Sequence, residues 1–164
     1  MASRPNRAAV YPWAVVPLRL VMGAGFLVHG WAKYSRGPAN FARLLAQIHA
    51  PLPAATAWVV TGLELLGGAA LLAGVFVAVV SVPLMVTMLV AMVTVQARYG
   101  FSAVNTTGLT PAGPTFGPPG YEINLLYIAG LLALALARPS ALSVDRWLAR
   151  VTFRRRRQAA GDTP

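Results

Sequence analysis

The longest apolar stretch of the chain constrains its fold most strongly. Residues 54–95 are almost unbroken apolar sequence, too long for one membrane span and about right for two, with Gly74 as the expected turn. Two further apolar runs, 13–32 and 121–137, each have nearly the length of a single span. The pattern therefore predicts an all-α bundle of four transmembrane helices, with spans at about 13–32, 54–73, 77–97 and 121–137.

The composition agrees with a membrane protein. Only 11% of the residues are charged and 57% are hydrophobic, whereas a soluble domain carries about 25% charged residues. There is no cysteine, which excludes disulfides, thiolate catalysis and cysteine-held iron–sulfur clusters within this chain. Any redox chemistry would therefore need a bound cofactor or a partner subunit.

Two shorter segments outside the spans are also predicted to be helical. In the connection 33–53, Asn40 is expected to cap a short interfacial helix that two prolines end. After the fourth span, Ser143 is expected to cap an amphipathic basic helix that lies on the membrane surface. The Gly- and Pro-rich segment 99–120 cannot be a regular helix, and a loop of this length is usually functional or disordered.

The basic residues are unevenly distributed. Nine belong to the side that carries both termini and four to the opposite side, so the positive-inside rule places both termini in the cytoplasm. The chain then divides into a cytoplasmic tail at 1–12, a membrane domain at 13–138 and a cytoplasmic basic tail at 139–164. We expect the basic tail to contact anionic lipid and not nucleic acid.

Arg19 and Glu64 are charged residues inside predicted spans. A charge within a span costs a few kcal/mol on insertion scales and normally has a partner. Depths counted at 1.5 Å per residue from the helix ends bring the two within reach, so we predict an intramembrane ion pair. The pair is interpreted as fixing the helix register, which is slightly favoured over a catalytic role. A carrier could also use it as a gate for proton-linked transport.

Six polar side chains are expected to meet at the outer end of the bundle, beneath the Gly- and Pro-rich loop. His29 and Glu122 are the candidate catalytic residues, because either could take or give a proton. The candidate binding residues are Lys33, Gln96, Arg98 and Asn124. A structural collar of interfacial salt bridges is an equally open interpretation, and no metal site is expected.

Four motifs resemble those of the DoxX-like small membrane proteins, and together they cover most of the chain. The first joins charge, glycine and histidine at fixed spacing and is the most specific. The motifs are R-L-x-x-G-x-x-F-L-x-H-G-x-x-K from Arg19 to Lys33, E-L-L-G-G-A-x-L-L-x-G from Glu64 to Gly74, Gly120-x-Glu122, and Leu-Ser-Val-Asp from Leu142 to Asp145.

This resemblance implies a four-helix, multi-pass protein of the bacterial plasma membrane. Some relatives are linked to thiosulfate or sulfide oxidation with quinone as acceptor, or to complexes that handle oxidative or thiol stress. The resemblance thus suggests a membrane subunit of quinone-linked redox or thiol-stress chemistry, with soluble redox enzymes as partners. The alternatives are a non-enzymatic scaffold and a small-molecule carrier. Whether the chain itself is catalytic and whether it forms a homo-oligomer stay open.

Overall fold

The computed structural model describes residues 13–138 and 140–148. Within these residues the α-helices are α1 (Val16–Ser35), α2 (Pro38–Gln47), α3 (Pro53–Ala73), α4 (Val77–Ala91) and α5 (Glu122–Leu136). A π-helical turn at Met92–Gln96 and a 3-10 turn at Ala97–Tyr99 continue α4, and residues 144–148 are helical. The predicted tail at 1–12 and most of the basic tail, residues 149–164, lie outside the described residues.

Two of the described helices are long and apolar enough to cross a membrane. They are Pro53–Ala73 and Val77–Tyr99, the second of which includes the turns that continue α4. The helix α5 is apolar but has 15 residues, and α1 carries Arg19, His29 and Lys33 within its 20 residues. Membrane helices are therefore present, while the number of four spans remains a prediction.

The helices α1, α3, α4 and α5 pack as an antiparallel bundle. The closest partners are α1 with α3 and α4 with α5, and contacts of α3 with α4 and of α1 with α5 join the two pairs. Phe26, Leu71, Leu84 and Leu131 are fully buried at the centre. The Phe26 ring meets the Tyr127 ring edge to face with 5.3 Å between their centroids, a favourable aromatic geometry.

Glycines allow α1 and α3 to approach closely. A Cβ atom on Gly68 would lie 2.6 Å from the main-chain nitrogen of Leu27 and 2.8 Å from the carbonyl oxygen of Gly23. Main-chain atoms of a helix cannot move aside without separating the helices. The register between α1 and α3 is therefore fixed where these glycines meet, as small residues do between membrane helices.

Two local features that the sequence predicts, the turn at Gly74 and the helix cap at Ser143, are confirmed. Gly74 ends α3 with φ of 70°, a conformation that favours glycine, and α4 begins three residues later. Ser143 caps the helical residues 144–148, since its Oγ accepts a hydrogen bond from the Arg146 N–H at 3.2 Å. Both features could be predicted because each depends on residues that are close in the sequence.

The predicted cap of the short helix is wrong. The helix α2 begins at Pro38 with Gly37 as its N-cap, because proline is well suited to the first helical position and Gly37 adopts φ of 89°. Asn40 lies inside the helix, where its Nδ2 donates a hydrogen bond to the Arg36 carbonyl oxygen. The predicted helix itself is present over nearly the expected residues.

The Gly- and Pro-rich segment contains a β-hairpin that the sequence did not predict. Strands β1 (Thr106–Thr110) and β2 (Gly113–Phe116) pair antiparallel, with Thr110 opposite Gly113 across a two-residue turn. The register shifts between Thr106 and Gly108. The all-α prediction therefore needs a correction, because the described structure is mostly helical with one small two-stranded sheet.

Candidate functional site

An ion pair between Lys33 and Glu64 joins α1 to α3. The Lys33 Nζ lies 2.5 Å from both carboxylate oxygens of Glu64, and the same ammonium lies 4.8 Å from the centroid of the Phe41 ring. Glu64 is 1% exposed and Lys33 is 25% exposed. A buried carboxylate is tolerated when it is paired and hydrogen-bonded, and here the partner also reaches the surface of the bundle.

Thr61 lies three residues before Glu64 on the same face of α3 and is 1% exposed. Its hydroxyl donates a hydrogen bond to the Ala57 carbonyl oxygen at 2.7 Å. Back-bonding of this kind satisfies a buried threonine within its own helix. Sequence reasoning missed Thr61 because a single threonine in an apolar run gives little signal.

The predicted ion pair between Arg19 and Glu64 is not formed. Gly30 of α1 packs against Glu64, whereas Arg19 donates a hydrogen bond to the Leu72 carbonyl oxygen at 3.4 Å. Arg19 and Gly30 are eleven residues apart on α1, which corresponds to about 16 Å along the helix at 1.5 Å per residue. An arginine side chain cannot span that distance.

The prediction failed because it measured depth from the ends of the helices. Gly30 packs against Glu64 and Leu65, so the end of α1 at Ser35 comes level with about residue 60 of α3. The first two turns of α3 therefore extend past α1, and α3 also packs on α2. Because the two helix ends are not level, counting from Pro53 overestimates how far Glu64 lies from the end of α1 at Ser35. The prediction therefore placed Glu64 too close to Arg19.

Arg19 instead belongs to a second polar cluster at the opposite end of the bundle. It is 3% exposed, donates a hydrogen bond to the Ser140 Oγ and is attracted by the Asp145 carboxylate. Its Nε has no hydrogen-bond partner among the described residues. We call Arg19, Ser140 and Asp145 the C-terminal latch, because they tie the segment after α5 to the rest of the bundle.

Asp145 is the centre of the C-terminal latch. Its two carboxylate oxygens accept hydrogen bonds from the Phe76 and Val77 N–H groups at 2.9 and 3.2 Å, and its own N–H donates to the Gly74 carbonyl oxygen at 3.1 Å. It therefore caps the N-terminus of α4, which has no side-chain cap of its own, where a carboxylate is favoured. Sequence reasoning missed this role and that of Ser140, although it noted the Leu-Ser-Val-Asp motif.

Two of the six predicted site residues hold the start of α5 in place. The Glu122 Oε2 accepts a hydrogen bond from the Ala103 N–H at 2.8 Å and so ties the loop before the β-hairpin to the helix. Asn124 is 3% exposed, and its Nδ2 donates to the Met88 carbonyl oxygen at 3.3 Å. These contacts connect α5 to the loop and to α4.

The other predicted site residues make few contacts with one another. His29 is exposed, lies one helical turn before Lys33, and makes no hydrogen bond or ion pair with described residues. The Arg98 guanidinium lies 4.8 Å from the centroid of the Tyr99 ring. The Gln96 Oε1 is buried, with no hydrogen-bond partner in the part of the chain that the structure describes.

The six residues thus share one end of the bundle, which we call the Lys33 end, but they do not form a ring of salt bridges. The described residues form one ion pair, between Lys33 and Glu64. Over the same residues, no three His, Asp or Glu side chains gather where they could bind a metal ion.

Comparison with models of protein families gives a match over about half of the chain. Residues 14–97, a little over half of the chain, match the model of the DoxX family. This region includes α1, α3 and α4 with both members of the Lys33–Glu64 pair. No curated protein and no solved structure matches the chain.

Proposed function

The chain belongs to the DoxX family of membrane proteins, and on that premise we propose that it is a membrane subunit of quinone-linked redox or thiol-stress chemistry. The proposed quinone site lies at the Lys33 end and uses Lys33, Glu64 and His29. The observation that carries the proposal is the Lys33–Glu64 pair, in which a buried carboxylate fixes a cation that is partly exposed.

The Lys33–Glu64 pair reaches the surface of the bundle, because the long lysine side chain extends outward while its ammonium stays paired with the buried carboxylate. Lys33 is one quarter exposed, and its neighbours on α1, His29 and Trp31, are both exposed. The pair therefore borders the surroundings of the bundle, where an apolar quinone could approach from lipid. At this position an ammonium group could donate a hydrogen bond to a quinone carbonyl oxygen.

The proposed reaction assigns different tasks to these side chains. A quinone that takes up two electrons and two protons becomes a hydroquinone. A partner that oxidises a thiol or another sulfur compound supplies the electrons, since this chain has no cysteine. Lys33, held by Glu64, would stabilise negative charge on the quinone oxygen, and the exposed His29 would pass protons between water and the site as a general acid and base.

The remaining predicted residues have supporting roles in this proposal. Glu122 orders the loop above the Lys33 end through Ala103, and in this proposal it acts as a positioning residue. The Gln96 Oε1, which has no hydrogen-bond partner among the described residues, would accept a hydrogen bond from a hydroxyl group of the hydroquinone. Arg98 and Asn124 complete the proposed surroundings of the site.

We also propose that α1, α3, α4 and α5 are four spans with both termini in the cytoplasm of a bacterial cell. The antiparallel arrangement of the four helices supports this topology. The excess of nine basic residues over four on the side of the termini supports the orientation.

A scaffold for soluble redox enzymes is the second candidate, and the β-hairpin favours it. Leu109 and Phe116 are 84% and 61% exposed, and no charged residue occurs between Arg98 and Glu122. An exposed uncharged hairpin with apolar side chains is suited to protein contact. The carrier hypothesis relied on an Arg19–Glu64 gate and loses its basis, since those residues do not pair.

Purification in native lipid, followed by an optical spectrum and analysis of extracted quinone, tests the proposal. We expect one quinone per protein in the unchanged chain and much less in His29→Asn. His49→Asn is the matched control, because His49 is also exposed and has φ of 56°, a conformation that asparagine tolerates. Absence of quinone from the unchanged chain, or equal loss in both variants, would contradict the proposal. Soluble enzymes that co-purify without quinone, and are lost when residues 106–116 are replaced by a Gly-Ser linker, would favour the scaffold.

A further inference from the structure

The seam between α1 and α5 holds a hydroxyl group without a partner. Tyr127 lies on α5, and its hydroxyl group makes no hydrogen bond with described residues. A Cβ atom on Gly25 of α1 would overlap this hydroxyl group, so the glycine leaves the space that the hydroxyl group occupies between the helices. Within the described residues, the enclosed side-chain atoms that lack a partner belong to Arg19 and Gln96. The Tyr127 hydroxyl group is therefore accessible from outside the bundle.

The depth of this hydroxyl group determines which molecules can bind it. Tyr127 is the sixth residue of α5, about 8 Å along the helix from its start, and α5 is one of the proposed spans. At that depth in a bilayer there is no water to bind the hydroxyl group, and an unmade hydrogen bond costs free energy. The edge-to-face contact with Phe26 holds the ring in place. The hydroxyl group is therefore positioned for a lipid-soluble molecule that carries a hydrogen-bond acceptor.

His29 provides a second polar group on the same seam. It follows Gly25 by four residues, which places it one turn, about 6 Å, nearer to the Lys33 end on the same side of α1. His29 is exposed and makes no hydrogen bond with described residues. In the other direction the seam is closed, because a Cβ atom on Gly130 would lie 3.2 Å from the Met22 Sδ and both residues are buried. The accessible part of the seam thus runs from Tyr127 towards the Lys33 end.

Two polar groups one turn apart on an apolar seam fit a particular shape of ligand. A six-membered ring with oxygen atoms on opposite carbons can present one oxygen to each group and its apolar faces to the helices. A phospholipid carries its polar atoms in the headgroup region and has an acyl chain at the depth of Tyr127, so it would leave the hydroxyl group without a partner. The head group of a para-quinone has the required shape and leaves its apolar tail in lipid.

We propose that a quinone enters the bundle from lipid through the seam between α1 and α5, and that the Tyr127 hydroxyl group donates a hydrogen bond to the inner carbonyl oxygen of the ring. The outer carbonyl oxygen then faces His29 and Lys33. This inference rests on the proposed function, to which it adds a substrate-binding residue, the orientation of the ring and a preference for para-quinones.

Infrared difference spectroscopy of decylubiquinone bound to the full-length protein in nanodiscs tests the inference. A hydrogen bond lowers the stretching frequency of a carbonyl group. Tyr127→Phe should therefore raise the frequency of one of the two carbonyl bands and weaken binding about fivefold, which corresponds to the loss of one hydrogen bond. The variant keeps the ring that packs against Phe26. Tyr121→Phe is the matched control and should change neither property, because Tyr121 makes the same edge-to-face contact with Phe101 outside the seam.

The outcomes separate this inference from the proposed function. Saturable binding with identical carbonyl bands in the unchanged protein and in Tyr127→Phe would overturn the inference and leave the quinone proposal standing. Absence of saturable binding to the unchanged protein would overturn both. An equal effect of Tyr121→Phe on the carbonyl bands would overturn the inference, because the hydroxyl group on the seam would then not be the donor.

Discussion

Lys33 and Glu64 form a hydrogen-bonded ion pair between α1 and α3, with the Lys33 Nζ 2.5 Å from each carboxylate oxygen. Arg19, the other cation on this side of α1, is bound by Ser140 and Leu72 at the opposite end. The polar residues of the bundle therefore separate into two clusters with different tasks. The Lys33 end contains the proposed quinone site, and the C-terminal latch attaches residues 140–145 to the rest of the bundle.

Glu64 and Lys33 should be energetically coupled. Glu64→Gln leaves the lysine without its counter-ion and should lower the free energy of unfolding by about 3 kcal/mol, since breaking a buried pair costs about 3–5 kcal/mol and Lys33 is partly exposed. Lys33→Met combined with Glu64→Gln should recover much of that loss. Thermal unfolding in detergent measures the cycle. The matched cycle of Arg19→Met with Glu64→Gln should be additive, and coupling there would contradict the observed register.

The glycine contacts between α1 and α3 should be intolerant of a methyl group. Gly68→Ala places a Cβ 2.6 Å from the Leu27 main-chain nitrogen and should destabilise the protein by about 1–3 kcal/mol through overpacking. Gly62→Ala is the control on the same helix, because nothing lies within 4 Å of its Cβ position. That change should be neutral or stabilise by up to about 1 kcal/mol. Equal melting temperatures of the two variants would contradict this packing.

The cap that Asp145 provides should contribute to stability. Asp145→Ala removes the acceptors of the Phe76 and Val77 N–H groups and should cost about 1 kcal/mol, the usual loss on removing a helix cap. Asp162→Ala, which removes an acidic residue of the distal tail, should leave the melting temperature unchanged. If both variants melt alike, the cap does not stabilise α4.

Both termini should lie on the same side of the membrane. A reporter fused after Thr163 should behave as cytoplasmic, and one inserted at 111–112, in the turn of the β-hairpin, should behave as external. A periplasmic signal from the C-terminal fusion is incompatible with four spans in the proposed orientation.

The sequence predicted the features that depend on near neighbours. Gly74 and Ser143 were assigned correctly, because a glycine turn and a serine cap act within a few residues. Asn40 was assigned wrongly because Gly37 and Pro38 start the helix earlier. The hairpin was not foreseen, since β1 is short and contains Gly108.

Local sequence patterns did not predict the contacts between residues that are far apart in the sequence. The partner of Glu64 depends on the register of α1 against α3, which close contacts at Gly23, Gly30 and Gly68 determine. The role of Asp145 depends on a turn that is about seventy residues earlier in the sequence. Both features follow from tertiary packing. The periodicity of the sequence therefore predicted where the helices lie in the chain, but it did not predict the partners of Glu64 and Asp145.

Titration with decylubiquinone tests the central claim most directly. Trp31 lies two residues from Lys33 and is 60% exposed, so a chain with Trp13, Trp58 and Trp147 replaced by phenylalanine reports quenching at the Lys33 end. We predict saturable quenching that weakens at least about tenfold, or 1.4 kcal/mol, in the Lys33→Met with Glu64→Gln variant. Quenching that rises linearly without saturation, or is identical in the two proteins, would contradict a quinone site at this pair.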